Sequence, residues 1–559
     1  MASWVAAWLL AGAGASPGED PLLEALELEL ERTMEAYEGQ EGAPYYLGYR
    51  VADQEHWKLS ARYGALGASS TTRRRTLDVS ARVGSPALDS THQLKGGFVS
   101  GLNLHTGHQL PLDAEPRALR AAIWVATHKE VRDAQERWAR VQTNQQVKVE
   151  DRDPSPDFSD AEPVVALGPH ATLSLHRADW EDVLVELSQR LDAAGDEIHA
   201  SEVSLDGIRE TQWIVTSEGA RIRQPREWVR ISMQAWSRTD DGMKLQLYRW
   251  RDVHDPDRLP DAAELQGWAG QLARDLIALR GAEEGDAYHG PVLLRGKAAG
   301  VFVHEVLGHR VEGHRQKDDD EGQTFTDKIG QQLLPSSIDV YDDPTLASYA
   351  GEDLNGYYRY DQEGIPAQRA VLVEDGVFVG FLMSRSPIEG FGQSNGHGRA
   401  QAWRQPVARM ANTVVETDDP HTEAQLRAML RRELREQGRE WGLMIDEIGG
   451  GFTLTGRLFP NAFNVRATYG HKVFADGRPD ELVRGIDLVG TPLVALSNVV
   501  AAGDDPQVFN GFCGAESGVV PNSTVAPPLL IRQLEIQKKE TGADRPPLLP
   551  KPAQPGGDT

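Results

Sequence analysis

Apolar residues recur along this chain with two different periods, and this patterning restricts the fold to a mixture of helices and strands. In residues 21–38 and 261–281, apolar side chains, mostly leucines, fall three or four positions apart, which places them on one face of a helix. In residues 45–65, 74–85 and 198–250, apolar and polar residues alternate, as expected of antiparallel strands with one buried face. Runs of strands with helices packed on one face define an α+β layer.

The two halves of the chain differ in pattern. The first half also predicts helices over 116–142 and 180–191 and a proline-containing linker over 144–163. The second half has frequent glycines and short strands, including predicted strands over 369–384 and 406–416, with one helix near 422–437. We therefore predict the α+β class: an N-terminal α/β domain of antiparallel strands with packed helices, followed by a β-rich C-terminal domain.

Four segments follow from these patterns: a candidate signal peptide (1–15), an N-terminal α+β domain (16–285), a β-rich domain (286–539) and a disordered Pro-rich tail (540–559). The first segment is apolar and ends in Ala-Gly-Ala, like a signal-peptidase site, but has no Lys or Arg. It predicts a periplasmic or secreted protein, with a cytoplasmic protein as the alternative. It is too short to span a bilayer, so no membrane span is predicted.

Charge and cysteine content exclude several classes of protein. With 58 Lys and Arg against 84 Asp and Glu, the formal net charge is −26. An acidic chain repels nucleic-acid phosphates, so a nucleic-acid partner is not expected. Cys513 is the only cysteine, which excludes an intrachain disulfide.

Residues 291–315 (PVLLRGKAAGVFVHEVLGHRVEGHR) carry the candidate chemistry, on a helix predicted at the junction of the two domains. Two neutral imidazoles, His304 and His309, can hold a metal ion, and the adjacent carboxylate of Glu305 can take a proton from water. The familiar spacing is H-E-x-x-H, whereas here the second histidine is five residues from the first.

That spacing has a structural consequence. Five residues of α-helix rotate by about 500°, so the two imidazoles would diverge by roughly 140°. A π-bulge or a break at Gly308 would bring them together, so a metal site here predicts a local helix defect. The alternative is that His304 packs in the core and His309 is solvated.

Cys513 lies in a glycine-rich segment, GFCGAESGVVPNS. As a thiolate it would complete a site of two histidines and one cysteine, with a fourth position open to water. The alternative is a small buried hydrophobic residue, which is the usual role of a free cysteine.

Residues 291–531 resemble the TldD/PmbA family of metallopeptidases. The resemblance rests on ordered blocks: GKAAGVFVHEVLGHRVEG (296–313), DQEGIPAQR (361–369), VLVEDGVFVG (371–380), NGHGR (395–399), RMANT (409–413), GGG (449–451) and CGAESG (513–518) with Pro521.

The resemblance implies roles for matching residues. His304, His309 and Cys513 would bind one Zn²⁺ per chain, and Glu305 would be the general base. PmbA-type members lack the His-Glu-His set, so this chain resembles the active, TldD-like type. The resemblance also implies unfolded or short peptides as substrates and a dimer, formed with a second copy or with a PmbA-like sister subunit.

Other residues near these blocks are weaker candidates. Asn395, His397 and Arg399 are candidates for holding a substrate carboxylate or oxyanion, with a surface turn as the alternative. Glu312 would orient a ligand histidine or form a simple i,i+3 pair. His314, where the family has an acidic residue, is expected to be solvated rather than a fourth metal ligand. The acidic segment 318–321 is a solvated loop or a lid over the site.

The sequence thus predicts a zinc metallopeptidase in which Glu305 activates water. Two alternatives stay open. One is a catalytically inactive PmbA-like scaffold or partner subunit. The other is a cysteine hydrolase that uses Cys513 with a histidine.

Overall fold

A computed structural model describes residues 20–94, 107–145, 153–317, 321, 323–456 and 462–539. The predicted signal peptide (1–15), the predicted tail (540–559) and residues 318–320 of the acidic segment lie outside the described residues. None of the described helices is long and apolar enough to cross a membrane.

The described residues form eight α-helices and several short 3₁₀ turns. The helices are α1 (Pro21–Tyr37), α2 (Pro116–Gln145), α3 (Arg177–Asp192), α4 (Ala262–Gly281), α5 (Gly296–Val306), α6 (His314–Lys317), α7 (Glu423–Glu436) and α8 (Pro492–Ser497). The four predicted first-half helices and the helix near 422–437 are confirmed. Their starts have ordinary chemical causes: the Asp20 carboxylate accepts from the backbone N–H of Leu23 at α1, and Thr422 forms a capping box with Gln425 at α7.

The first half is built on one sheet. Its strands are β1 (Pro44–Arg62), β2 (Ala65–Ser85), β3 (Leu88–Asp89), β4 (His108–Gln109), β5 (Val165–Leu167), β6 (Ala200–Thr216), β7 (Arg221–Arg238) and β8 (Lys244–Val253). In the described residues the order is β3-β2-β1-β6-β7-β5, with β4 beside β2 and β8 beside β7. The long strands β1, β2, β6, β7 and β8 pair antiparallel, as predicted.

Alternation along these strands assigns the two faces of the sheet. Odd-numbered residues of β1, such as Leu47, Val51 and Leu59, are buried under the four helices α1 to α4. Even-numbered residues, such as Arg50 and Gln54, point to the opposite face, which turns toward the second half of the chain. There Arg50 donates to the carbonyl oxygens of residues 400, 401 and 404.

The second half is richer in strands. They are β9 (Glu283–Glu284), β10 (Tyr288–Leu294), β11 (Ile338–Asp342), β12 (Ser348–Tyr349), β13 (Glu352–Asp353), β14 (Ala370–Glu374), β15 (Val377–Phe378), β16 (Gly398–Arg399), β17 (Val407–Ala408), β18 (Asn412–Thr417), β19 (Pro420–His421), β20 (Trp441–Thr453), β21 (Phe463–Phe474), β22 (Glu481–Arg484), β23 (Ile486–Gly490), β24 (Val499–Gly503), β25 (Gln507–Ala515), β26 (Gly518–Ala526) and β27 (Leu529–Lys538).

Two sheets of the second half position the site. In the described residues, one has nine strands, with β10, β20 and β27 near its centre, and the other has six in the order β15-β14-β11-β18-β26-β25. Helix α5 contacts β20 of the first sheet and β25 and β26 of the second, and all its residues except Lys297 are buried. Helix α7 packs through Leu426, Leu430 and Leu434 on the nine-stranded sheet. The predicted mixed fold with a β-rich second half is confirmed.

Two predicted strands are shorter than their patterns suggested. The predicted strand 369–384 is divided by a turn in which Asp375 and Gly376 have φ angles of 49° and 75°. The predicted strand 406–416 is likewise divided into β17 and β18. Local alternation continues through such turns, so the sequence pattern alone does not show where a strand ends.

The backbone at Gly356 lies very close to the backbone at Ala411, and this contact provides a test of the packing in the second half. A Cβ atom on Gly356 would lie 2.1 Å from the carbonyl oxygen of Ala411, which is backbone and cannot swing away. We predict that Gly356→Ala destabilises the protein by about 1–3 kcal/mol, as overpacking does, and lowers the urea midpoint. Gly392→Ala is the matched control, because a Cβ there meets no described atom within 4 Å. Equal midpoints for the two variants would contradict this packing.

Candidate metal centre

Helix α5 ends just where the histidine spacing requires a break. The helix stops at Val306, and Gly308–Arg310 form a 3₁₀ turn. This confirms the predicted defect and brings the rings of His304 and His309 to a centroid distance of 5.0 Å. Gly308 is needed in this turn because a Cβ atom there would lie 2.0 Å from the sulfur of Met410.

Cys513 reaches the two histidines from the neighbouring hairpin of β25 and β26. Its Sγ lies 3.2 Å from Nε2 of His309. One ligand atom from each of His304, His309 and Cys513 can be chosen so that all three lie within 4.8 Å of one another. All three side chains are buried. The structure therefore brings the three residues singled out from the sequence into one cluster, compatible with a metal ion.

Each imidazole is held through its Nδ1 atom. The side-chain amide of Asn522 lies 3.0 Å from Nδ1 of His304, and Oε2 of Glu312 lies 3.2 Å from Nδ1 of His309. Such partners fix the ring orientation and leave the other nitrogen for a ligand. Glu312 thus makes the i,i+3 contact with His309 that both of its predicted roles require.

Glu312 is also the centre of a buried ion cluster. Arg315 Nε donates to its Oε2 at 2.8 Å, and Arg409 Nε lies 3.2 Å from its Oε1. Arg409 donates in turn to the carbonyl oxygen of Cys513 at 2.8 Å and to Ser517 Oγ at 2.9 Å. Glu312 and Arg409 therefore connect the turn that carries His309 to the hairpin that carries Cys513.

These charges set the protonation of the cluster. Burial opposes ionisation of Glu312, but His309 and Arg315 outweigh it and hold the pKa of the carboxyl well below its usual range. Burial likewise opposes a charged His309, yet Cys513 and Glu312 raise its pKa to about 10. Burial would raise the pKa of the Cys513 thiol, but His309, His304 and Arg409 pull it well below its ordinary value. The thiolate form, which binds metals, is therefore favoured.

Glu305 lies beside the cluster with an unsatisfied oxygen. Its Oε2 is buried and has no hydrogen-bond partner among the described residues. Burial raises the pKa of this carboxyl. Gly451 on β20 leaves room for it, since a Cβ there would lie 2.7 Å from Cγ of Glu305. A thiolate, two imidazoles and a buried carboxylate oxygen without a partner fit a divalent ion of the zinc type with an activated water.

The other predicted residues lie outside this cluster. Asn395 is bonded to the backbone of Phe381 and Met383, and the buried His397 lies 3.2 Å from an oxygen of Asp342. Arg399 donates to the carbonyl oxygens of Met410 and Pro521, and it also lines a cavity described below.

His314 is half-buried and pairs with Glu516, so the expectation of a solvated His314 is wrong. The ring is shielded because Glu516 and Arg315 lie against each other here, with Arg315 Nη2 2.9 Å from the Glu516 carboxylate. Of the acidic segment, the described Glu321 accepts from Arg315 at 2.8 Å.

Asn522 and Arg409 had no role at the site in the sequence analysis. In the hairpin, Cys513 is opposite Val520 and Gly511 is opposite Asn522, so Asn522 lies on the face of Cys513. A hairpin assignment for 507–526 would have revealed this from the sequence. Arg409 and Glu312 are far apart in the chain and meet only in the folded protein, so no local sequence pattern predicts their contact.

Comparisons with known proteins place the second half of the chain among the metallopeptidase-type domains. Residues 287–538 match the PmbA/TldA metallopeptidase C-terminal domain. A metalloprotease of Archaeoglobus fulgidus is 32% identical over 243 residues, covering 43% of this chain and 51% of the relative. A zinc metalloprotease TldD homolog of Saccharolobus solfataricus is 25% identical over 249 residues, covering 44% and 51%.

The fold has solved relatives. TldE from Thermococcus kodakarensis superimposes with a TM-score of 0.59 at 15% sequence identity, covering 92% of this chain and all of that one. The sequence matches span about half the length of these curated relatives. The resemblance of residues 291–531 to the TldD/PmbA family is thus confirmed.

The orienting contact of Glu312 gives a direct test. We predict that Glu312→Gln weakens metal binding at the cluster by about 10- to 100-fold, because the amide no longer gives His309 a charged partner. Competition with a chromophoric chelator measures this affinity. Glu516→Gln is the matched control, since Glu516 contacts Arg315 and His314 but not His309. Equal losses in the two variants would show that Glu312 has no special role.

Proposed function

We propose that the protein is a TldD-like, zinc-dependent metallopeptidase that hydrolyses peptide bonds in unfolded or short peptide segments. One observation carries the proposal: His304, His309 and Cys513 converge beside Glu305, whose buried Oε2 has no partner among the described residues. The family resemblance supports it, because relatives that share this domain are named metalloproteases.

Each residue has a part in the proposed chemistry. Bound zinc would supply a Lewis acid that polarises the scissile carbonyl and makes water more acidic. Glu305 accepts the proton of the attacking water through Oε2 and then passes it to the leaving amine. Because burial raises the pKa of Glu305, its carboxylate is a stronger base than an exposed glutamate.

The hairpin offers a place for the substrate backbone. β25 is the last strand of the six-stranded sheet in the described residues. Its Asn510 carbonyl accepts from Trp250 and Arg230, whereas Phe512 and Gly514 beyond it are exposed. A peptide that pairs with this edge gains affinity from backbone hydrogen bonds, with little dependence on sequence. A folded protein cannot present such a strand, so the proposal favours unfolded segments.

The contact between Cys513 and His309 also suits a cysteine hydrolase, because a 3.2 Å thiol–imidazole pair is the geometry of an activated nucleophile. Two facts favour a metal-binding role for Cys513 over a nucleophilic one. A second imidazole converges on the same sulfur, and Cys513 is only 6% exposed. The PmbA-like scaffold stays the non-catalytic alternative.

The assembly, the location and the domain division are also proposed here. We infer a dimer, with a second copy or with a PmbA-like sister subunit, supported by the fold shared with TldE. If residues 1–15 direct export, the protein acts in the periplasm or outside the cell; otherwise it acts in the cytoplasm. The proposed division at 285/286 is supported by the buried apolar residues, whose first-half cores end at Leu279 and whose second-half core begins at Tyr288.

Glu305→Gln separates catalysis from metal binding. We predict a loss of about 10²- to 10⁴-fold in kcat on an unfolded protein substrate, because the proton acceptor is gone, with the zinc content unchanged. Glu447→Gln is the matched control: Glu447 is on the same strand as Gly451, and burial raises the pKa of its carboxyl too. Full activity in Glu305→Gln would contradict the assigned base.

Chelation and thiol alkylation distinguish the two hydrolase mechanisms. We predict that a chelator abolishes cleavage and that added zinc restores it, while iodoacetamide modifies Cys513 only after the metal is removed. Peptide mass spectrometry of the only cysteine measures the modification. Rapid alkylation that blocks cleavage, together with indifference to chelators, would establish the cysteine hydrolase instead.

A further inference from the structure

A second cavity lies behind the hairpin that carries Cys513. It has a volume of about 450 Å³ and lies between the even-numbered face of the N-terminal sheet and the strands β25 and β26. Residues Phe512, Val519 and Pro521 line it, whereas the three metal-site residues do not. Because successive side chains of a strand point to opposite faces, Phe512 faces this cavity and Cys513 faces the metal centre.

Two of the buried or half-buried arginines that line the cavity, Arg226 and Arg399, form no ion pair with a described carboxylate. Arg399 is 3% exposed, its Nε has no hydrogen-bond partner, and its other nitrogens donate to backbone carbonyls. Arg226 is half-buried and forms no hydrogen bond or ion pair with any described residue. Burial lowers the pKa of Arg399 to about 10, and the positive charge of Arg226 adds to this effect. The two guanidinium groups therefore repel each other within one cavity.

The acidic residues of the cavity are already engaged. Glu210 is opposite Arg226 on the neighbouring strand, but its carboxylate accepts from the amides of Gln54 and Gln212. Glu227 accepts from the backbone of residues 172 and 173. Neither forms an ion pair with Arg226 or Arg399 in the described part of the chain. The cavity thus holds two arginines that form no ion pair with a described carboxylate, while the charge of Glu210 offsets part of the effect of burial on Arg226.

The other walls suit a peptide segment. Trp228 and Phe512 pack with ring centroids 5.4 Å apart, and Tyr358 lies under Arg399 at 5.0 Å. Trp403 lies beneath the guanidinium of Arg74 at 4.4 Å. Aromatic walls with a few fixed charges are typical of sites that bind one end or one side chain of a ligand.

We propose that this cavity binds a carboxylate of the peptide substrate, held between Arg226 and Arg399. The inference rests on the proposed function, because it requires a peptide along the edge of β25. Such a peptide directs alternate side chains to the two faces of the hairpin, so one face meets the metal centre and the other meets the cavity. The carboxylate is an Asp or Glu side chain or the free C-terminus of the peptide.

Binding measurements on the full chain test this without relying on cleavage. The Glu305→Gln protein is titrated calorimetrically with N-acetylated octapeptides of one sequence that contain either Glu or Gln, each with a free or an amidated C-terminus. We expect peptides with a carboxylate to bind at least ten-fold more tightly than the neutral peptide. Arg226→Gln should abolish this preference, and Arg226→Lys should retain most of it.

Arg132→Gln is the matched control, because Arg132 is exposed on α2, on the other face of the sheet, and its loss changes the net charge equally. A preference that is lost on amidation identifies the C-terminus, and one that follows Glu identifies the side chain. Equal binding of acidic and neutral peptides, or an equal effect of Arg132→Gln and Arg226→Gln, would overturn the inference. If the protein prefers peptides with a carboxylate but shows no zinc-dependent cleavage, the proposed function is contradicted and the carboxylate site is not.

Discussion

The end of α5 at Val306 is the constraint on which the metal centre depends. A continuous helix would turn His309 away from His304 by roughly 140°. The 3₁₀ turn at Gly308–Arg310 removes this divergence, and it packs against Met410 only because residue 308 has no side chain. Both neighbouring sheets are arranged around this helix, so Cys513 on β25 and Gly451 on β20 approach the same end of it.

The buried charges make this arrangement specific. Glu312, Arg315 and Arg409 lie out of water, where breaking one ion pair typically costs about 3–5 kcal/mol because an uncompensated charge remains. Their contacts extend from His309 to the backbone of Cys513. Among these residues, Arg409 also favours the thiolate of Cys513, and Glu312 orients the imidazole of His309.

The sequence predicted the helices, the long antiparallel strands and the break in the site helix, because each depends on local periodicity or on geometry within a few residues. It also singled out His304, His309 and Cys513, which the structure brings together. It did not predict Asn522, whose role depends on hairpin register, or the link from Arg409 to Glu312, which is tertiary. Polar residues of β1 such as Arg50 and Gln54 look like a solvated face in the sequence, although they line an interior cavity. Alternation shows that a strand has two faces, but not what covers the second one.

Metal content per chain tests the central claim most directly. Wild-type protein purified without chelators and the Cys513→Ala variant are compared by plasma mass spectrometry, with circular dichroism to confirm that both are folded. The account predicts about one zinc per wild-type chain and loss of most of it in the folded variant, because a ligand of the site is gone. Wild-type protein without stoichiometric metal, or a variant that retains it fully, would contradict a zinc centre built on His304, His309 and Cys513.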